Sequence, residues 1–178
     1  MFDASSPENP IAFDNDLSLF CLRLFENTGA SRTNCAEILA LQAMPTANRL
    51  HSSDGVDILW IEPSAYLLMG KTTHTDRMSQ VAESVRHIGM VTDISSALIA
   101  IRLYGNNAPR ILAAGCPLSF SPESFKQCDA VASHFNEIPV RVIFRETDPH
   151  FTILCDRSHG QNLVALLRYA VDANAQGP

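Results

Sequence analysis

The sequence predicts an α+β domain in which antiparallel sheets are covered by helices, arranged as two repeated strand-helix-hairpin-helix halves. Three observations carry this. Short apolar or alternating runs such as LSLFCLRLF, ALIAIRLY and PVRVIFR are separated by turn-forming residues. Two segments place apolar residues at helical spacing. The order strand, helix, antiparallel strands, helix then runs twice, the second pass beginning about 80 residues after the first. The halves span roughly 17–90 and 91–173, within one 17–173 domain. Residues 1–16 and 174–178, polar or ending in Gly-Pro, are expected to be flexible tails.

The elements follow in order. LSLFCLRLF (17–25) is apolar on both alternating sets of positions, as in a strand buried on both faces. After the ENTGAS turn, Thr33 or Asn34 is placed to cap a short helix through Ala43, with Ile38, Leu39 and Leu41 or Gln42 inward and Pro45 as its stop. DILWI and AYLLMG flank Glu62-Pro63-Ser64, a hairpin turn. THTDRMSQVAESVRHI is a helix with Met78, Val81, Val85 and Ile88 on one face, closed by Gly89. ALIAIRLY (97–104) is a strand, and Gly105 turns the chain into the helix of NAPRILAA, with Asn106 or Asn107 as cap, Pro109 in the first turn and Gly115 at its end. Ser121 and Pro122 open one helical turn. AVASHF, PVRVIFR and FTILC are successive antiparallel strands joined at Asn136-Glu137 and at ETDPH. Ser158 caps a last helix whose Leu163, Leu166, Leu167, Ala170 and Val171 form an apolar stripe.

Composition narrows function. At 178 residues with 46% apolar content, the chain is long enough for a core without staples. No run approaches the ~20 apolar residues of a membrane helix, and MFDASSPENP has neither a basic region nor an apolar stretch of a leader, so the cytoplasm is the expected location. Five cysteines without a C-x-x-C pair fit reduced thiols. Net charge is −6, with only two lysines and no basic cluster, which argues against nucleic acid and anionic membrane as partners.

Cys128, His134, His150 and Cys155 are zinc-type donors, yet Cys128 and His134 would lie about 20 Å apart on one extended strand, and no finger spacing occurs. CDRSHG clusters Cys155, Asp156, Ser158 and His159. Its simpler account is a strand end entering a helix, with Cys155 inward and Asp156 and Arg157 solvated. YGNNAPRIL has one glycine rather than a phosphate-binding set, so Gly105 is assigned a turn. Trp60 and Tyr66 flank a hairpin and suit either an exposed anchor for a partner or the core. The residues describe a partner more than a catalyst.

Three stretches together resemble a family. ILWIEPSAYLL is similar to an LWLGPDEWLL-type segment. VTDISSALIAIRLYGNNAPRILAAGCPLSF is similar to a D-x-S, strand, G-x-x-A, helix, C-P-L run, and PVRVIF…FTILCDRSHGQNLVALL to a hairpin, R-S and final helix. The family is the γ subunit of heterotetrameric sarcosine oxidase. The resemblance runs from about residue 17 to 173, with Asp93, Ser95, Gly105, Ala108, Cys116, Pro117, Leu118, Arg157 and Ser158 matching best. It implies a fold like the folate-binding domain of the glycine cleavage T protein. It also implies a non-catalytic subunit of an amine-demethylating complex, contacting mainly the α chain beside the β and δ chains. FAD, FMN, NAD and tetrahydrofolate are implied on α and β and zinc on δ, with no cofactor on this chain. Glu62-Pro63-Ser64-Ala65-Tyr66 departs from the family's Gly-Pro-Asp-Glu-Trp, and His159-Gly160-Gln161 from its Phe-Ala, which leaves the amine open. The alternative is a stand-alone folate-binding or aminomethyl-transfer domain using Asp93 or Glu62. A free-standing hydrolase would require an exposed, acidic Cys155.

Overall fold

The computed structural model describes residues 10–125, 130–145 and 148–175. Among them, ten strands form two five-stranded antiparallel sheets with helices, an α+β architecture. The chain divides into two compact units: Asp16–Ser96, and the chain on either side of it. The boundary therefore falls after Ser96 rather than near residue 90.

The first strand, β1 (Ile11–Phe13), belongs to the flanking unit. The Asp16–Ser96 unit then runs β2 (Leu17–Leu24), α1 (Gly29–Ile38), β3 (Leu50–Ser53), β4 (Val56–Glu62), β5 (Ala65–Lys71), a 3-10 turn (Thr72–His74), α2 (Thr75–Val85) and β6 (Gly89–Asp93). Its sheet order is β3-β4-β5-β2-β6. Strand β2 pairs with β5 from Leu17↔Lys71 to Arg23↔Ala65 and with β6 from Phe20↔Asp93 to Leu24↔Gly89. One alternating set, including Phe20, Leu22, Ile58 and Leu68, meets Cys35 and Ala36 of α1 and Met78 and Val85 of α2 in one core. The other set, with Leu19, Leu59, Leu67 and Met69, is also buried, as the apolar pattern of β2 requires.

Several expectations change here. Thr28, not Thr33 or Asn34, caps α1: its hydroxyl accepts the Ser31 N–H at 3.0 Å. The later two lie exposed inside the helix. The helix ends at Ile38, short of Ala43 and Pro45, because Ala40 turns into the left-handed region at φ +54°. Strand β3 was not anticipated, although Asp54-Gly55 is a strong hairpin signal; both residues adopt positive φ, +47° and +78°, as a two-residue turn demands. Gly89 does not close α2 but opens β6. A Cβ there would stand 2.7 Å from the Arg23 carbonyl oxygen, so glycine serves close backbone approach.

The flanking unit contains β7 (Leu98–Leu103), α3 (Ala108–Ala113), α4 (Pro122–Phe125), β8 (Ala130–Phe135), β9 (Ile138–Arg145), β10 (Asp148–Asp156), a 3-10 turn (Arg157–His159) and α5 (Gly160–Ala175). Its sheet order is β1-β7-β10-β9-β8. The β8–β9 turn at Asn136-Glu137 is as expected, with Asn136 at φ +52°. Part of the ETDPH joint, and Cys128, lie outside the described residues. Helix α5 buries Leu163, Val164, Leu167 and Ala170, and runs through Ala175, past the expected tail boundary. Among the described residues no helix is long and apolar enough to cross a membrane.

The N-terminal tail is the larger correction. Ile11 pairs with Leu103 and enters the core, while the Tyr104 N–H donates to Pro10 and the Asp14 N–H to Ala100. A three-residue strand is too short to show a period, so nothing in its pattern announced it. Gly115 is likewise chosen for packing: a Cβ would reach the buried Phe135 ring at 2.6 Å.

These contacts predict opposite outcomes at two glycines. Gly89→Ala pushes a Cβ into backbone and should cost about 1–3 kcal/mol in chemical denaturation. Gly29→Ala, in the first turn of α1 with nothing within 4 Å of the added Cβ, should leave the midpoint unchanged or raise it.

Candidate functional site

The motif residues fall at strand ends and turns, and their hydrogen bonds are made within the fold. At the end of β6, the Asp93 carboxylate accepts the Ser95 N–H at 2.8 Å. The Ser95 hydroxyl in turn accepts the Leu19 N–H at 2.9 Å and donates to the Leu19 carbonyl at 3.2 Å, extending the β2–β6 ladder by one side chain. The neighbouring Ser95 hydroxyl and then the Ser95 amide hold the Asp93 carboxyl below the usual aspartate value.

The same device recurs at the end of β10. Asp156, and not Ser158, is the capping residue: its carboxylate accepts the Ser158 N–H at 2.8 Å and the Ser158 hydroxyl at 2.6 Å. Nor are Asp156 and Arg157 merely solvated. The Arg157 N–H donates to Ala97 and its guanidinium to the Leu98 carbonyl at 3.0 Å, fastening the start of β7 to the end of β10. Ser158 comes one residue too early to cap the helix, which begins at Gly160.

The YGNNAPRIL turn is structural. Gly105 has φ +93°, a conformation L side chains rarely adopt, and its carbonyl accepts the Ala108 N–H. Asn107 stands at the N-cap without a side-chain bond, so neither asparagine caps as expected, whereas Pro109 does occupy the first turn. Ala108 is buried, Cys116 is buried, and Leu118 is exposed in the loop after Pro117.

Tyr66 is 1% exposed in the core and is no surface anchor; its register partner Trp60 is half-buried against the same core. The carboxylates asked to orient a pterin are already engaged, Asp93 by Ser95 and Glu62 by an ion pair to Arg23. Cys155 is 3% exposed, and burial, with the Asp156 charge adding, pushes its thiol up to about 11. That overturns a hydrolase built on Cys155, since a nucleophilic thiol needs the opposite environment. Among the described residues no group of three or more His, Cys, Asp and Glu side chains could hold a metal ion.

One polar cluster escaped the sequence. Arg102 pairs with Asp14, whose side chain is 5% exposed, and its guanidinium reaches the Tyr104 hydroxyl. Tyr104 packs on His150 at 5.0 Å, and Thr152 bonds the buried His150 ring at 3.3 Å. Asp14 lies 88 positions from Arg102, and His150 and Thr152 come later still, so only the β1–β7–β10 register brings them together. The cluster anchors β1: removing Arg102 would take the ion-pair partner from the nearly buried Asp14 carboxylate.

No family model matches the chain, and no curated protein matches it. Among solved structures, it is similar to a chain of the heterotetrameric sarcosine oxidase from Corynebacterium sp. U-96, in complex with pyrrole 2-carboxylate. The TM-score is 0.75 at 20% identity, covering 92% of this chain and 83% of that one. A weaker likeness, TM-score 0.50 at 13% identity, links it to the ligand-free regulatory subunit of aspartate kinase from Thermus thermophilus, covering 91% and 97%. At these identities the likeness is one of fold.

Two measurements follow. Native Cys35, Cys116 and Cys155, with thiols raised to about 12, 11 and 11 by burial, should resist iodoacetamide until the chain is unfolded, as read by peptide mass spectrometry. Asp93 has a depressed folded pKa, so its charge stabilises above the ordinary value of 3.8 and that contribution is lost as pH falls through the folded value. Wild type should therefore exceed Asp93→Asn in stability near neutrality, with the gap closing below about pH 4 in urea titrations at stepped pH.

Proposed function

We propose that this chain is a non-catalytic, γ-type subunit of a sarcosine oxidase-like heterotetrameric flavoenzyme, which oxidatively demethylates sarcosine or a related secondary amine. The observation that carries the reading is the shared fold, which spans nearly the whole of this chain and most of a chain from that oxidase. The three resembling stretches support it, because they fall on the same β4–β5 hairpin, β6–β7–α3 run and β9–β10–α5 run that build both sheets.

In this reading the two units are a structural repeat like that of the glycine cleavage T protein's folate-binding domain. The corresponding orders β3-β4-β5-β2-β6 and β8-β9-β10-β7-β1 favour it, with β1 filling from the N-terminus the place that β6 fills after α2. The subunit works in the cytoplasm and contacts mainly an α-type chain beside β- and δ-type chains. FAD, FMN, NAD and tetrahydrofolate belong to the larger chains and zinc to the small one. The motif residues Asp93, Ser95, Gly105, Arg157 and Ser158 contribute by shaping the turns that present the subunit's surface.

Isolation of the tagged chain from its own host tests this. It should elute with larger chains that carry flavin absorbance and are bleached by a secondary amine. Elution as a stable monomer, with no flavoprotein at any salt concentration, would overturn the proposal.

A further inference from the structure

The edge of a sheet presents unpaired backbone donors and acceptors, and proteins ordinarily blunt it with lysine, proline, bulges or short strands. Strand β6 ends its sheet and lacks all but brevity. Its five residues, Gly-Met-Val-Thr-Asp, pair with β2 without a register shift, and its one charge, Asp93, is turned onto Ser95. The other end strands differ: β1 has three residues, β3 is Leu-His-Ser-Ser, and β8 carries Ser133 and His134.

The phase of the ladder identifies which groups are open. The Phe25 N–H donates to the Ile88 carbonyl at 3.0 Å and the Ile94 N–H to the Leu19 carbonyl at 2.8 Å. Antiparallel bonding alternates, so Met90 and Thr92 bond β2, while the N–H and C=O groups of Gly89, Val91 and Asp93 point away from it. Among the described residues no strand pairs with that side. Two large apolar side chains lie beside it, Met90 at 55% exposure, opposite Arg23, and Phe25 at 66%.

Resting on the subunit reading above, we propose that the open edge of β6, flanked by Phe25 and Met90, receives an extended strand from a non-identical partner chain. The edge supplies main-chain hydrogen bonds and the two side chains an apolar anchor, the ordinary division of labour in strand addition. The incoming segment is proline-free at its bonded positions and apolar on the side that meets Met90. A second copy of this chain is a poorer occupant. Two chains of net charge −6 repel, and two five-residue strands with few apolar side chains fall short of the ~1,000 Å² a specific dimer needs.

Residue-resolved hydrogen exchange on the chain alone and on the complex isolated from its host tests this. The amides of Val91 and Asp93 should exchange freely in the chain alone and slow at least about tenfold in the complex, while Met90 and Thr92 are protected in both and Gly89, already buried, is no probe of the edge. Val91→Pro removes an outward donor but no β2 bond, and Met90→Lys adds a gatekeeping charge; each should weaken assembly about tenfold or more. Exchange decides the matter if Val91→Pro fails to fold. A complex in which those two amides stay open overturns the strand addition and leaves the subunit reading standing. Protection that appears in the chain alone at high concentration assigns the edge to self-association and overturns it too. A chain that purifies alone overturns both.

Discussion

Strand β2 is hydrogen-bonded on both edges, to β5 from Leu17 to Arg23 and to β6 from Phe20 to Leu24, and the Asp16–Ser96 unit is organised by that double pairing. A strand in this position must be apolar on both alternating sets. It also has to admit neighbours at fixed register, because a slip of one residue would send Leu22 and Leu24 away from the helices. The requirement propagates outward. Ser95 reaches back to Leu19 to prolong the β6 pairing, Gly89 lets β6 approach Arg23, and Ser64 accepts the Leu24 N–H where β5 begins. In the flanking unit β7 holds the matching place between β10 and β1.

What could be read in advance follows from how much pattern each element needs. Helix α5 and the β4–β5 hairpin are long enough for periodicity and turn chemistry to agree, and both appear where expected. Strands β1 and β3 have three and four residues, too few for a period, and their existence depends on partners distant in sequence. Asp54-Gly55 nonetheless carried the β3–β4 hairpin in plain view. The cap assignments failed for a related reason. Thr28 and Asp156 cap because of where the backbone leaves the preceding segment, and several neighbouring residues had equally suitable side chains.

The bonds that the motif residues make were not legible in the sequence. Asp93 with Ser95, and Asp156 with Ser158, are the same local turn at two strand ends, each with a carboxylate held below its usual range by the serine two residues on. Such turns are satisfied by their own backbone, which is why they fit both a ligand-bearing and a purely structural account until their bonds are seen. The Asp14–Arg102 pair had no sequence signature, since its logic lies in β1 docking on β7.

These features bear on where, in the reading proposed above, the chain would meet another. The titratable groups of the motifs are engaged within the fold: Asp93 by Ser95 and Glu62 by Arg23 at the surface, with Cys155 buried in the core. What the Asp16–Ser96 unit leaves outward is of another kind, a row of backbone groups on β6 and the side chains of Phe25 and Met90. Backbone groups are generic and apolar side chains unselective, so neither recognises a small molecule, whereas both complement another chain that arrives extended and in register. Because β2 fixes the phase of β6, it also fixes which amides face outward. The constraint that orders the core thus sets the geometry of the open β6 edge.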